Sequence, residues 1–266
     1  MNPLAPDVSA TDLALERVVQ LLNRSRRLLF ITGAGISADS GLPTYRGANG
    51  LYNGTDPEEG LPIEELLSGA MLRSRPDLTW KYLAQVAQAA AGARFNRAHQ
   101  VIAEMEKCFG HVCVLTQNID GFHRSAGSQH VIDIHGDLHE LYCPHCGWRQ
   151  TRQDFVGLEI PPPCPACARI LRPDVVLFGE YLPEDKLQRL NHELETGFDL
   201  IFSVGTTSVF PYITQPILLA RELGWSTVEI NPQPTRVSHL VDIRLQQGAA
   251  AALDAIWTRY QNQQRK

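Results

Sequence analysis

From Leu13 to Asn23 the chain reads LALERVVQLLN, with apolar residues returning every three or four positions. That spacing predicts an amphipathic helix. RRLLFITGAG then changes the period, because a continuous apolar run ending in glycine is the pattern of a strand buried on both faces. Similar runs, rich in β-branched residues, recur at HVCVLTQN, HVIDIHG, PDVVLFG, DLIFSVGT and STVEINP, with helical patterns such as PEDKLQRLNHELE and PYITQPILLARELG among them. Strands alternating with helices predict an α/β fold with a doubly wound parallel sheet. Ligands of such sheets gather at the carboxyl ends of the strands. TGAGIS, TQNID, IHG, VGTTS and INPQ all fall at such ends.

Two stretches break the rhythm. Gly47 to about Arg94 opens as the glycine- and acid-rich loop GANGLYNGTDPEEG and continues as helix-like sequence with no strand signal. Tyr142 to Arg172 is rich in cysteine and proline, including PPPCPAC, and has too little apolar material for a core of its own. The expected organisation is a Rossmann-like domain of residues 1–46, 95–141 and 173–266. A smaller domain is expected from a loop and helical insertion, 47–94, and a zinc-ribbon module, 142–172.

Composition narrows the function classes. The 266 residues are 44% hydrophobic and 20% charged, as in an ordinary globular protein with a sizeable core. A formal net charge of -5 gives no basic field to attract nucleic acid, so nucleic acid is not expected as a partner. No run approaches the ~18–20 apolar residues of a membrane span, so no membrane association is expected. The N-terminus has no basic residue before Arg17 and no long apolar stretch, which argues against a secretory signal. The expected location is cytoplasmic, where the six cysteines are metal ligands or reduced thiols in preference to disulfides. Nothing in the sequence indicates an oligomeric state.

Cys143, Cys146, Cys164 and Cys167 form two C-x2-C pairs, CPHC and CPAC, at the spacing of a four-thiolate zinc ribbon. Four thiolates fill a tetrahedron, so this zinc is expected to be structural and to replace a missing core. The nearby histidines are then free of the metal. His145 inside the knuckle and His139 are expected at the surface. His135 ends a buried strand beside Gly136, where it is either structural or a reacting group.

TGAGISADSG, Thr32 to Gly41, follows a strand and opens a helix-like stretch. Gly33, Gly35 and Ala38 satisfy G-x-G-x-x-[GA], a turn that lets backbone amides approach a pyrophosphate. The acidic residue usual about twenty positions later is not clean, since Asp56 and Glu58 sit in a loop, and this argues against an ordinary dehydrogenase. QNID, Gln117 to Asp120, offers a carboxamide pair and a carboxylate for an amide and ribose hydroxyls, or a helix cap. Gly205, Thr206, Ser208 and Asn231 offer groups for a second ribose, or cap the helices that follow. Such sites at the ends of successive strands favour one shared dinucleotide crevice.

GAGISADSGLPTYRGANGLY, TQNID, IDIHG, the two C-x2-C pairs, LRPDVVLFGE, VGTTS and EINPQ stand in the order found in sirtuins, the NAD-dependent protein-lysine deacylases. The chain resembles that family, in its bacterial type, from about Leu28 to Ala250. The resemblance implies that NAD is consumed as a co-substrate: the acyl-lysine oxygen attacks the nicotinamide ribose, an alkylimidate forms, and lysine and O-acyl-ADP-ribose are released. It implies acylated protein lysines as partners, His135 as general base, and Asn118 as a second catalytic residue. A histidine suits that task because its ordinary pKa lies near working pH. It further implies cofactor contacts at Gly33, Ala34, Gly35, Ile36, Pro43, Tyr45, Arg46, Gln117, Asn118, Ile119, Asp120, Gly205, Thr206, Ser208, Asn231 and Ala250. Substrate-peptide pairing is expected along Val175, Val176, Phe178, Gly179 and Glu180.

The Tyr and Arg, three apart, that mark desuccinylating members are absent from TWKYLAQVAQAA, where Leu83 and Val86 align instead. Those two residues imply an apolar acyl channel, or simply pack in a helical core. An acidic acyl chain would want an arginine fork. Two further functions fit the motifs less well: NAD-dependent ADP-ribosyl transfer to protein, and a non-catalytic NAD- and zinc-binding module.

Overall fold

The computed structural model describes residues 8–44 and 59–265. Among the described residues nine strands run in chain order as β1 (Arg27–Thr32), β2 (His111–Thr116), β3 (Val131–Asp133), β4 (Gly136–Tyr142), β5 (Arg149–Thr151), β6 (Arg172–Val175), β7 (Leu200–Val204), β8 (Ser226–Ile230) and β9 (Ile243–Leu245). The helices are α1 (Val8–Leu22), α2 (Ala34–Ser37), α3 (Ile63–Leu66), α4 (Gly69–Ser74), α5 (Pro76–Ala90), α6 (Arg97–Met105), α7 (Phe122–Ser125), α8 (Glu184–Thr196), α9 (Pro211–Leu223) and α10 (Ala249–Gln264).

Six strands form one parallel sheet in the order β3-β2-β1-β7-β8-β9. β7 is buried at every residue and β1 at all but its first, which is why both read as unbroken apolar runs. Alternate side chains go to opposite faces. Leu28, Phe30 and Phe202 meet α1, α6 and α10 on one face, whereas Leu29, Ile31 and Ile201 meet α8 and α9 on the other. Phe30 and Phe202 stack with ring centroids 4.6 Å apart.

From β1 the chain winds outward to β2 and β3, and from β7 it winds the opposite way to β8 and β9. The switch point is therefore the gap between the carboxyl ends of β1 and β7. Two glycine turns close on each other there. The Gly35 amide donates to the Gly205 carbonyl at 2.8 Å and the Gly33 amide to Val204 at 3.2 Å. A Cβ on Gly35 would lie 2.6 Å from the Gly205 Cα, and one on Gly205 would lie 2.4 Å from the Gly35 carbonyl carbon. Gly205 also has φ +59, so it is glycine on two counts.

The smaller domain is an antiparallel sheet, β5-β4-β6, covered by α3, α4 and α5 through Leu66, Leu67, Trp80, Leu83, Leu138 and Val175. Here the run PDVVLFG departs from its expected place in the parallel sheet. β6 alternates half-buried and buried residues and pairs antiparallel with β4, as a strand with one covered face does. β4 starts at Gly136 and β6 ends at Val175, so the small domain reaches into the segments 95–141 and 173–266 assigned to the large one. Gly136, with φ +90, makes that turn, and a Cβ on it would sit 1.8 Å from the Asp174 carbonyl oxygen. β9 adds an edge strand that the sequence pattern did not reveal.

Gly205→Ala is expected to cost about 3 kcal/mol of stability, from the forced left-handed backbone and the overpacked turn. Denaturant unfolding of the variant checks this, and a loss below about 1 kcal/mol would show that the two turns can separate.

Candidate active site

Gln117 and Asn118 leave the end of β2 beside the glycine turn of β1 and bind to it. Asn118 is buried, its Nδ2 donating to the Gly33 carbonyl at 3.1 Å and to Ser37 Oγ at 3.2 Å. Its Oδ1 is buried without a hydrogen-bond partner among the described residues. Ser37 Oγ donates to Asp120 at 2.7 Å, and the other Asp120 oxygen accepts from the Phe122 amide at 3.0 Å. Burial raises the Asp120 pKa, against the pull of the Ser37 bond. An unsatisfied amide oxygen and a carboxylate at one strand end are the donor-seeking groups that a bound carboxamide would satisfy.

Ala34, Pro43, Asn118, Ile119 and Asp120 line a cavity of about 560 Å³, within the range of small-ligand sites. Val86 and Ala87 of α5 form part of its apolar wall, and Arg94 and Arg124 also reach it. Leu83 does not line this cavity: it is 2% exposed, packed in the small-domain core with Leu66 and Trp80. Ile36 has its side chain buried in the main core. Tyr45 and Arg46 lie outside the described residues.

Across the glycine contact lies a second set of expected residues. Thr206 Oγ1 accepts from Gln117 Nε2 at 2.7 Å and from the Ser208 amide at 3.1 Å, while Asn231 Nδ2 donates to the Thr206 carbonyl at 3.1 Å. Ser208 has φ +52, and its buried Oγ has no hydrogen-bond partner among the described residues. Ala250, in the first turn of α10, donates its amide to Asp39 at 3.0 Å. These turns hold one another in place and leave a free hydroxyl facing inward. Pyrophosphate and ribose need that combination of backbone turn and spare polar groups.

His135 follows β3, and its imidazole is set by three neighbours. Nδ1 contacts the Gln117 carbonyl at 2.9 Å, Nε2 contacts the Tyr212 hydroxyl at 2.6 Å, and Phe210 lies edge-on with centroids 6.0 Å apart. Burial lowers its pKa below the ordinary value, opposed by the Gln117 carbonyl and reinforced by Lys186. The His135 carbonyl accepts from the Val176 amide at 2.8 Å.

That bond bears on the expected peptide ridge. The Val176 amide is occupied by His135, and the Phe178 amide and carbonyl pair with Leu67 and Gly69 in the turn between α3 and α4. These bonds tie the expected ridge to His135 on one side and to the small-domain helices on the other. Glu180 grips Arg172 through both oxygens, at 2.7 and 2.8 Å, and accepts from the Leu177 amide. Its role in this structure is to shape the loop. Gly179 remains exposed. His139 is half-buried instead of on the surface, bound to Asp137 at 2.8 Å, and that bond raises its pKa.

The four cysteine sulfurs all lie within 4.8 Å of one another, with Cys143–Cys167 at 3.5 Å and Cys146–Cys164 at 3.6 Å. Sulfurs on a zinc at ~2.3 Å are about 3.8 Å apart in a tetrahedron, so the set fits the metal. Each pair sits on the same tight knuckle, with Gly147 donating to Cys143 and Ala168 to Cys164.

The sequence did not single out Ser37, Phe210 or Tyr212. Ser37 lay inside a quoted motif without a reason to name it, and the two aromatics carry no local signal. It also missed a buried pair beneath the turn: Thr32 Oγ1 meets His123 Nε2 at 3.0 Å, and His123 packs edge-on to His99.

A model of the Sir2 family matches residues 33–211. The NAD-dependent protein deacylase 2 of Pseudomonas aeruginosa is 52% identical over 231 residues, covering 86% of this chain and 90% of that protein. A solved Sir2 homologue in complex with ADP-ribose superposes with a TM-score of 0.85 at 34% identity, over 94% of this chain and 98% of that one. A second solved Sir2 protein, holding a deacetylated peptide and 3′-O-acetyl-ADP-ribose, superposes with a TM-score of 0.82 at 28% identity, over 92% and 98% of the two chains.

Stripping zinc with a strong chelator is expected to unfold the ribbon and to lower the melting temperature of the whole chain by several degrees, recovered by added zinc. Differential scanning calorimetry with and without chelator checks it. Burial lowers the His99 pKa to about 4. The unfolded histidine takes its proton near pH 6.5, so the contribution of neutral His99 is complete above 6.5 and is lost as pH falls from 6.5 to about 4. His99 alone then contributes a loss of roughly 2 kcal/mol between pH 7 and 5, read as the difference in unfolding free energy from His99→Gln.

Proposed function

This chain belongs to the Sir2 family, and we infer that it is an NAD-dependent protein-lysine deacylase that moves the acyl group of a modified lysine to ADP-ribose, releasing nicotinamide and free lysine. The observation that carries the chemistry is the half-buried imidazole of His135, oriented by the Gln117 carbonyl at the carboxyl ends of the strands, with a pKa that desolvation lowers. NAD bound in the crevice supplies a breakable bond to nicotinamide and a ribose to receive the acyl group.

The chain's own residues divide the remaining work. The turn from Gly33 to Gly35, whose own amides are held by Val204 and Gly205, brings the Ala34 backbone close to the pyrophosphate, and Asn118, Ile119 and Asp120 receive the carboxamide. Gln117, Ser208 and Asn231 hold the ribose hydroxyls and the adenosine end. His135 takes the ribose-hydroxyl proton, for which its lowered pKa keeps it unprotonated at neutral pH. Val86 and Ala87 give the acyl chain an apolar wall, which favours acetyl or longer aliphatic groups over acidic ones. The zinc thiolates must stay reduced to bind metal, which supports a cytoplasmic location.

His135→Ala is expected to lower deacylation of acetyl-lysine peptides by at least about 100-fold while NAD binding persists, as mass spectrometry of the products and calorimetric titration would read. Loss of turnover accompanied by ADP-ribose on the protein itself would favour transferase chemistry. The acid limb of kcat/KM is expected below pH 6.5, activity rising as the ring loses its proton, because the neutral form is the base. A limb at or above 6.5 contradicts the assignment.

A further inference from the structure

Tyr212 occupies the nitrogen that the reaction needs. A carbonyl oxygen only accepts, so the 2.9 Å contact with Gln117 puts a proton on His135 Nδ1. Neutral imidazole carries one N–H, which leaves the lone pair on Nε2 and makes the Tyr212 hydroxyl, 2.6 Å away, the donor to it. Tyr212 stands in the first turn of α9 with its ring parallel to Phe210, and both rings lie edge-on to the imidazole. The base is thus held from two sides, by a backbone carbonyl on one nitrogen and a phenol on the other.

We propose that Tyr212 is a positioning residue whose hydroxyl caps the proton-accepting nitrogen of His135 in the resting enzyme, and that the ribose hydroxyl reaches this nitrogen only by displacing the phenol. The proposal rests on the reading of His135 as base. An imidazole nitrogen has one in-plane lone pair, so the phenol and a ribose hydroxyl cannot both donate to it. On displacement the phenol keeps its proton and turns away. The ribose O–H proton then passes to Nε2, leaving an imidazolium with N–H at both positions. Of the charged groups facing the ring, Lys186 of α8 is bound to the Asp133 carboxylate at 3.0 Å and to its carbonyl at 2.7 Å. Arg124 also approaches Asp133, at 3.4 Å. These groups are the same with or without the phenol, so a change at Tyr212 reads the cap itself.

A hydrogen bond donated to Nε2 favours the neutral ring and holds its pKa down. Tyr212→Phe removes the donor with little change of shape. In that variant the acid limb of kcat/KM for NAD should move up by about half to one pH unit, and the plateau above it should rise about threefold. Nitrogen NMR of His135 in the free zinc-loaded protein should show the Nε2 resonance moved and its titration midpoint raised in parallel. An unmoved limb and midpoint overturn the proposal, and so does a plateau that falls, which would make the phenol a helper of the reaction. His135→Ala, run alongside, separates the two readings. If it retains turnover, the base assignment fails. If it is inert while Tyr212→Phe behaves as wild type, the base stands and the cap is gone.

Discussion

Gly35 and Gly205 approach so closely that no carbon fits between them, and the crevice of this protein depends on that contact. The turn after β1 and the turn after β7 are locked together by backbone bonds, and the loops after β2 and β8 then attach to them. Asn118 holds the Gly33 carbonyl, Gln117 holds Thr206, and Asn231 holds the Thr206 carbonyl. Four strand ends are thereby fixed to one another. A change of one methyl group at the contact would move all of them, since packed interiors transmit strain instead of absorbing it.

The same region concentrates the local costs of the fold. Ser208 adopts a left-handed backbone that its side chain disfavours, and Asn118 and Ser208 each bury a polar atom that the described chain does not satisfy. Sequences that otherwise agree with their structure at every level break local rules mainly at functional sites. His135 adds a half-buried titratable ring to this set. Its carbonyl is tied to the small domain through Val176 and its ring to the large one through Gln117. His135 therefore sits on the seam between the two.

Much of this was legible before any coordinates. Strands buried on both faces announce themselves as unbroken apolar runs, and paired C-x2-C knuckles leave few alternatives. PDVVLFG looked like one more such strand because its Val175–Val176 pair hides the alternation that burial reveals. β9 went unseen because three residues with an arginine at the centre carry no pattern. Leu83 and Val86 stand on adjacent faces of one helix turn, and only the neighbours of α5 decide which of them meets the cavity. Tyr212 was out of reach for a different reason. It is 77 positions from His135, and their meeting depends on how α9 docks against the sheet. Local sequence holds no record of that docking.

The pairing of Gly136 with Val175 has a consequence for how the molecule can be remodelled. The first and last residues of the small sheet are neighbours, so the excursion between them leaves and re-enters the main body at a single doorway. Chain can be added or removed beyond Tyr142 and before Arg172 without shifting the register of any strand in the six-stranded sheet. In architectural terms the zinc-bearing unit is an annex with one door. The hinge post of that door is Gly136, and the residue beside it is His135.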